Sequence, residues 1–328
     1  MKPLSDATQV WKLLNGIATI YKPAGVSLRN ARQTILNHLC RDLNNLKVRP
    51  PRRHVSIEGE TNKPMTVRVG INWADHPLVV GPRYQTEDFK LSWAHYIGRD
   101  TSGVVVIGIN DGSGTVVRMR ESRPTRFYRV KGILGQATDN HFSSGRIVEK
   151  ATYKSIKRAT IDAICAATQA SHQRKMFELC GLDIQSQAAY DLAVQGPIRP
   201  ANSRIPMIYA IKCIEFTPPE FTLELVCINE YETYLKALIH DIGIQLHSVA
   251  TCTKIQCFKY GLFTSEHALL QKHWDVRNIL ANMELCQTII DKNQYLLHQN
   301  SPILIKQKID ESLPITKAEL FQSTNHQN

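Results

Sequence analysis

The stretch Leu14-Asn15-Gly16-Ile17-Ala18-Thr19-Ile20-Tyr21-Lys22-Pro23-Ala24-Gly25-Val26-Ser27 decides how the rest of the chain is read. Gly16 to Tyr21 is a short β-like run. Lys22-Pro23-Ala24-Gly25 is a turn, because proline pre-sets φ and glycine tolerates the conformations a turn requires. Ser27 then offers a hydroxyl that can cap a helix. Leu28, Ala31, Ile35, Leu36, Leu39 and Leu43 follow at helical spacing, which gives that helix one apolar face. A strand, a turn and a capped amphipathic helix therefore open the fold.

Working outward, 49–63 is basic, punctuated by proline, and reads as a loop or insertion. Strand-like runs follow at 65–71, 91–97, 103–109 and 126–135, with a short helix at 111–121 between the last two. The spacing predicts helices at 160–171, 185–194, 232–246, 265–270 and 275–297. It predicts strands at 205–216, 221–228 and 249–258, the first two joined by Pro218-Pro219. Strands and helices alternate without a regular βαβ rhythm, so the fold class is α+β: a mixed, mainly antiparallel sheet with flanking helices. The expected division is one domain over 14–275, then a helical extension and a loose polar tail over 276–328. Gly108, Gly112 and Gly114 lack the third glycine of a dinucleotide fingerprint and the Lys-Ser/Thr of a P-loop, so they read as a turn.

Hydrophobic residues make up 43% of the 328 and charged residues 21%, which suits a globular protein rather than a disordered one. The net charge is +11. Between Arg118 and Lys175 stand thirteen Lys or Arg against four Asp or Glu, a net +9. Such a field attracts a polyanion such as nucleic acid, or it is a solvated basic surface. The eight cysteines form no C-x-x-C pair, and Cys252 and Cys257 have no second pair at zinc-finger spacing. They read as free thiols, mostly buried, with no metal site. No apolar run reaches the roughly 20 residues of a membrane span. The first fourteen residues lack the apolar core of a secretory signal, and as a mitochondrial presequence they lack arginine, so they leave the compartment open.

Three further blocks carry a resemblance. Arg126-Phe127-Tyr128-Arg129-Val130 precedes Leu134-Gly135-Gln136-Ala137-Thr138-Asp139 and Gly145. Ser102-Gly103-Val104-Val105-Val106-Ile107-Gly108 and Tyr190-Asp191-Leu192-Ala193-Val194-Gln195-Gly196 flank that block. With the opening Lys-Pro-x-Gly turn, these resemble the TruB-type pseudouridine synthases over roughly 14–270. His76-Pro77-Leu78-Val79, Gly81-Pro82 and Pro218-Pro219-Glu220-Phe221 look most like the animal mitochondrial branch, which acts on messenger RNA. No glycine-rich C-terminal PUA module is evident.

The resemblance implies base flipping, cleavage of a uridine glycosidic bond and rejoining of the ring through carbon, with no metal or organic cofactor. Tyr128 matches the stacking platform, and Lys22, Arg126, Arg129 and Lys236 are the other candidate substrate-binding residues. The family's carboxylate lies four residues before the Ser/Thr-Gly anchor, which is Gly98 here. Asp100 is the candidate catalytic acid, displaced by two positions or about 6–7 Å in an extended chain. The family's Gly-Thr-Tyr-Ile-Arg run is Glu232-Thr233-Tyr234-Leu235-Lys236, so a lysine stands for the bidentate arginine. A second pocket tyrosine is expected at Leu179.

Two functions follow. One is an active synthase on mitochondrial mRNA or tRNA. The other is a catalytically impaired RNA-binding relative, working with mitochondrial RNA-granule or ribosome-assembly proteins. Both are expected to be monomeric and mitochondrial. An unrelated metabolic enzyme is a third reading, and no nucleophile elbow, HExxH, P-loop or paired-carboxylate motif supports it.

Overall fold

The computed structural model describes residues 6–48, 53–72, 77–194, 198 and 205–294. In chain order, α1 (Ala7–Leu13), β1 (Gly16–Lys22) and α2 (Leu28–Asn44) precede the hairpin β2 (Arg53–Glu58)–β3 (Thr66–Ile71). Then come α3 (Pro77–Val80), β4 (Leu91–Trp93), β5 (Thr101–Ile109), α4 (Gly112–Glu121), β6 (Arg126–Leu134), β7 (Gln136–Thr138) and β8 (Ile147–Lys150). The last part holds α5 (Arg158–Leu179), α6 (Gln187–Val194), β9 (Met207–Thr217), β10 (Glu220–Ile228), α7 (Glu232–Gln245), β11 (Ala250–Tyr260), β12 (Phe263–Thr264) and α8 (Val276–Lys292).

Eight strands form one sheet in the order β1-β5-β11-β6-β10-β9, with β4 on β5 and β12 on β11. Every pairing is antiparallel except β5 with β11, where Thr101, Ser102 and Gly103 lie beside Ile255, Gln256 and Cys257. The expected α+β class with a mixed, mainly antiparallel sheet is what the chain adopts. β11 covers only the start of β5, and β4 covers its far end through Leu91 to Trp93. That shared edge explains why the apolar run at 91–97 is a strand for only three residues.

The opening reading holds in detail. Ser27 Oγ accepts the Asn30 amide at 3.1 Å and starts α2, whose Ala31, Ile35, Leu36, Leu39 and Leu43 are buried. Helix α7 buries Leu235, Leu238, Ile239 and Ile242 and packs on β11. Each such side chain contributes about 1.5–3 kcal/mol. Helix α8 packs on β1, where Asn282 Oδ1 accepts the Thr19 amide at 2.7 Å. Six of the eight cysteines are buried, and all are free thiols. No described helix is long and apolar enough to cross a membrane.

Three local expectations change. The described part of the expected 49–63 loop forms β2, because Val55 and Ile57 pair with Val69 and Val67 of β3. The expected helix at 265–270 is absent, because the Leu269 amide and carbonyl bond to Thr19 and Tyr21 of β1. The Gly108–Gly112–Gly114 cluster turns only at Asn110-Asp111: Gly108 itself is in β5, and Gly112 and Gly114 are in α4. A Cβ at Gly112 would lie 1.9 Å from the Gly16 carbonyl oxygen, so that glycine serves close packing of α4 on β1. The expected tail after 301 lies outside the described residues.

Candidate functional site

The Lys-Pro turn at the end of β1 and the loop before β5 are clamped together. Lys22 is fully buried, and its amine donates to the carbonyls of Pro23 (2.9 Å), Val26 (2.6 Å) and Arg99 (3.2 Å). The Gly25 amide also donates to Arg99 O, and Arg99 Nε returns a bond to Gly25 O. Burial lowers the Lys22 pKa to about 8, with the charges of Glu232 and Asp100 acting in the opposite direction.

This clamp presents Asp100 to the first turn of α7. Asp100 Oδ2 accepts from Lys236 Nζ at 2.7 Å, and Glu232 Oε1 accepts from the same amine at 3.0 Å. Glu232 Oε2 accepts both the amide (2.8 Å) and the hydroxyl (2.7 Å) of Thr101. Burial works to lower the Lys236 pKa, but the hydrogen bonds and charges of its two carboxylates outweigh burial and raise it, so the amine stays protonated. Lys236 Nζ also lies 4.6 Å from the Phe142 ring centre, a cation–π contact. Phe142 reaches this place because the loop after β7 folds back and bridges to Cys252 of β11. The Asp100 side chain is 29% exposed, and its Oδ1 makes no hydrogen bond among the described residues.

A second charged cluster lies on β6. Tyr128 is 2% exposed, with its ring in the main core. Its hydroxyl donates to Glu230 Oε1 at 2.6 Å, and Arg126 Nη1 lies 2.7 Å from the same oxygen. Burial and the Glu230 charge both push the Tyr128 pKa well up. Arg129 pairs with Glu224 at 2.6 Å and lies over Phe258.

Of the sequence-predicted residues, the fold brings Asp100, Lys236 and Lys22 together. It places Tyr128 and Arg126 together at Glu230 and Arg129 apart from them against Glu224 and Phe258, and in this state Tyr128 is not an open stacking surface. Leu179 packs with Phe127, Met176 and Met207 rather than beside Lys236. Tyr234, two residues from Lys236, is half-buried and bonds His172 of α5 at 3.1 Å. The sequence reading missed Glu232 and Phe142. Glu232 could have been found four residues before Lys236, where a helix brings side chains together. Phe142 carried no local signal.

The basic run at 118–175 also looks different in space. Strand β10 lies beside β6 and supplies Glu220 and Glu224 against Lys131 and Arg129, with Glu230 just beyond the strand against Arg126. A charge count along the sequence could not include acids contributed a hundred residues later.

The family model described as "TruB family pseudouridylate synthase (N terminal domain)" matches residues 85–235. The chain is 39% identical over 291 residues to "Pseudouridylate synthase TRUB2, mitochondrial" of Xenopus tropicalis, covering 86% of this chain and 88% of that relative. The chain belongs to the TruB family of pseudouridine synthases. The protein of the same name from Homo sapiens is 37% identical, covering 81% of this chain and 82% of that one. These two relatives place this TruB-family chain on the TRUB2 branch. Among solved structures, "Crystal structure of the archaeal box H/ACA sRNP Nop10-Cbf5 complex" gives a TM-score of 0.44 at 13% identity. It covers 88% of this chain, which spans only 59% of that one, and the likeness carries no further argument. The TruB match includes Gly98, Asp100 and Tyr128 and ends one residue before Lys236.

Proposed function

We propose that this TruB-family chain is an active RNA pseudouridine synthase, with Asp100 as its reacting carboxylate. The observation that carries the reading is the Asp100–Lys236 pair. One carboxylate oxygen is held at 2.7 Å by a protonated amine, the other is unbonded among the described residues, and the side chain is 29% exposed. A carboxylate acts as nucleophile or base only when it is ionised, positioned and accessible. Lys236 fixes its orientation, and the Lys22 clamp and Thr101 fix its loop. The two-residue displacement from Gly98 is thereby absorbed by a loop that still delivers an acid to the family's cation.

The reaction moves the base of one uridine from nitrogen to carbon attachment and conserves the nucleotide's atoms, so it needs no redox partner or cofactor. The everted base is received next to Asp100, where Phe142 supplies an aromatic wall. The RNA is mitochondrial mRNA or tRNA, and the names of the two relatives support the mitochondrial part of that reading. The compartment is mitochondrial on the same ground. Exposed Lys150, Lys154 and Lys157, between β8 and α5, are suited to backbone phosphates.

The burial of Tyr128 and the glycine at position 98 favour a second reading. In it the chain binds RNA without modifying it and serves mitochondrial RNA or ribosome assembly. One experiment separates the two. The purified chain is incubated with uridine-containing mitochondrial RNA, and pseudouridine is quantified. Product from the wild type and none from Asp100→Asn supports catalysis. Salt-sensitive RNA binding by both proteins with product from neither supports the second reading.

A further inference from the structure

Position 98 and position 232 are in contact, and only one of them can carry a side chain. A Cβ added to Gly98 would lie 2.1 Å from Glu232 Oε2, 2.2 Å from its Cδ and 2.6 Å from its Cβ. These are distances that real Cβ atoms do not show. The first two atoms are the end of a side chain, but the third is fixed to the helix backbone. Rotating the Glu232 side chain therefore cannot make room. The same two positions are among those where the chain departs from the motifs it resembles, with glycine where a carboxylate is expected and glutamate where glycine is expected.

We propose that Glu232 is a positioning residue that replaces, from α7, the side chain missing at Gly98. The proposal rests on the active-synthase reading above. The three-carbon side chain of Glu232 reaches from α7 into the volume above Gly98 and uses both of its oxygens. One binds Lys236 at 3.0 Å, and the other takes two bonds from Thr101, the residue after Asp100. Asp100 is thus held from both sides, through its own bond to Lys236 and through its neighbour's bonds to Glu232.

The division of labour follows from hydrogen-bond capacity. Among the described residues both oxygens of Glu232 have partners, whereas Asp100 Oδ1 has none. Glu232 is therefore the holder, and Asp100 is the group that meets substrate. An ionised carboxylate shared between an ammonium and two neutral donors is strongly localised, and small displacements of a reacting group cost rate steeply.

Four variants test this: Glu232→Gln, Gly98→Ala, Glu232→Gly and the double Gly98→Ala/Glu232→Gly. Glu232→Gln keeps the shape and removes the charge. It is expected to lower kcat on the order of 10- to 100-fold with KM within about three-fold. In thermal unfolding, Gly98→Ala is expected to lower Tm by roughly 4 °C or more in the wild-type background. In the Glu232→Gly background the same change is expected to cost under about 1 °C. A charge-neutral variant with full kcat, or Gly98→Ala equally harmful in both backgrounds, would overturn the proposal. The Tm cycle needs no turnover. Wild-type protein that makes no pseudouridine defeats the synthase reading, and an additive Tm cycle defeats the Glu232 assignment by itself.

Discussion

The molecule builds two clusters from the same chemistry and finishes them differently. At the start of β5, the carboxylates of Asp100 and Glu232 share the Lys236 amine. On β6, the Glu230 carboxylate is shared by Arg126 and the Tyr128 hydroxyl. The Glu230 side chain is fully buried, but the Asp100 side chain keeps over a quarter of its surface. Both clusters pair a carboxylate with a cation. Only the first leaves an acceptor oxygen where another molecule can reach it. A buried, paired acid stabilises little relative to apolar packing and is costly to break, whereas an accessible one is available for chemistry. The comparison therefore separates a candidate reacting site from a structural lock, although the sequence made Tyr128 and Asp100 look equally functional.

The largest expected effect breaks the comparison at its first member. Asp100→Asn should reduce pseudouridine formation by at least about 1,000-fold while thermal stability and RNA affinity change little. The matching change in the other cluster, Glu230→Gln, should do the reverse. It leaves the Arg126 charge without its carboxylate, so unfolding stability should fall by about 3 kcal/mol, measured by chemical denaturation, before any specific loss of turnover. If Asp100→Asn were stability-limited and Glu230→Gln activity-limited, the two roles would have to be exchanged.

Much of this was legible in the chain. The Ser27 cap, the helical spacing through Leu43 and the strands at 103–109 and 126–134 are local signals, and the fold follows them. Lys22, Asp100 and Lys236 lie in or beside motifs with fixed spacing, so their convergence could be expected. What could not be read depends on contacts between distant segments. The burial of Tyr128 depends on Glu230, and the contact of Glu232 with Gly98 spans 134 positions. The placement of Phe142 depends on a bridge to Cys252. The absence of a helix at 265–270 has the same origin, since Leu269 gives its backbone groups to β1. Periodicity describes one segment's faces and is silent on which partner arrives to cover them.

Two substitutions sharpen the comparison at smaller scale. Lys236→Met removes the ammonium that holds Asp100 Oδ2 and should lower turnover about 10- to 100-fold. Lys236→Arg should stay within about five-fold of wild type, because a guanidinium can span both carboxylates. Tyr128→Phe deletes the hydroxyl that donates to Glu230. It should cost about 1 kcal/mol of stability and leave turnover within about three-fold. A turnover loss beyond ten-fold in this variant would mean that the hydroxyl, and not only the ring, acts in the reaction, and Tyr128 would move from the lock to the reacting site.

The smallest effect concerns the two buried cations. Arg126 has a carboxylate in contact; burial acts to lower its pKa, but the Glu230 charge together with those of Tyr128, Tyr260 and Cys257 raises it. Lys22 has only carbonyl oxygens in contact, and burial lowers its pKa to about 8. The unfolded chain holds a lysine proton up to its ordinary value of about 10.4, so between pH 8 and that value the unfolded state binds more protons than the native state. Stability should therefore rise with pH across this window as the buried ammonium is relieved of its charge. Below pH 8 both states are protonated, and the penalty is constant. Lys22→Met should flatten the window, as read from denaturation midpoints at pH 7.5, 8.5 and 9.5. A wild-type midpoint that is level or falling over that range would show that Asp100 and Glu232 hold the Lys22 charge as firmly as Glu230 holds that of Arg126. The two clusters would then differ in exposure alone.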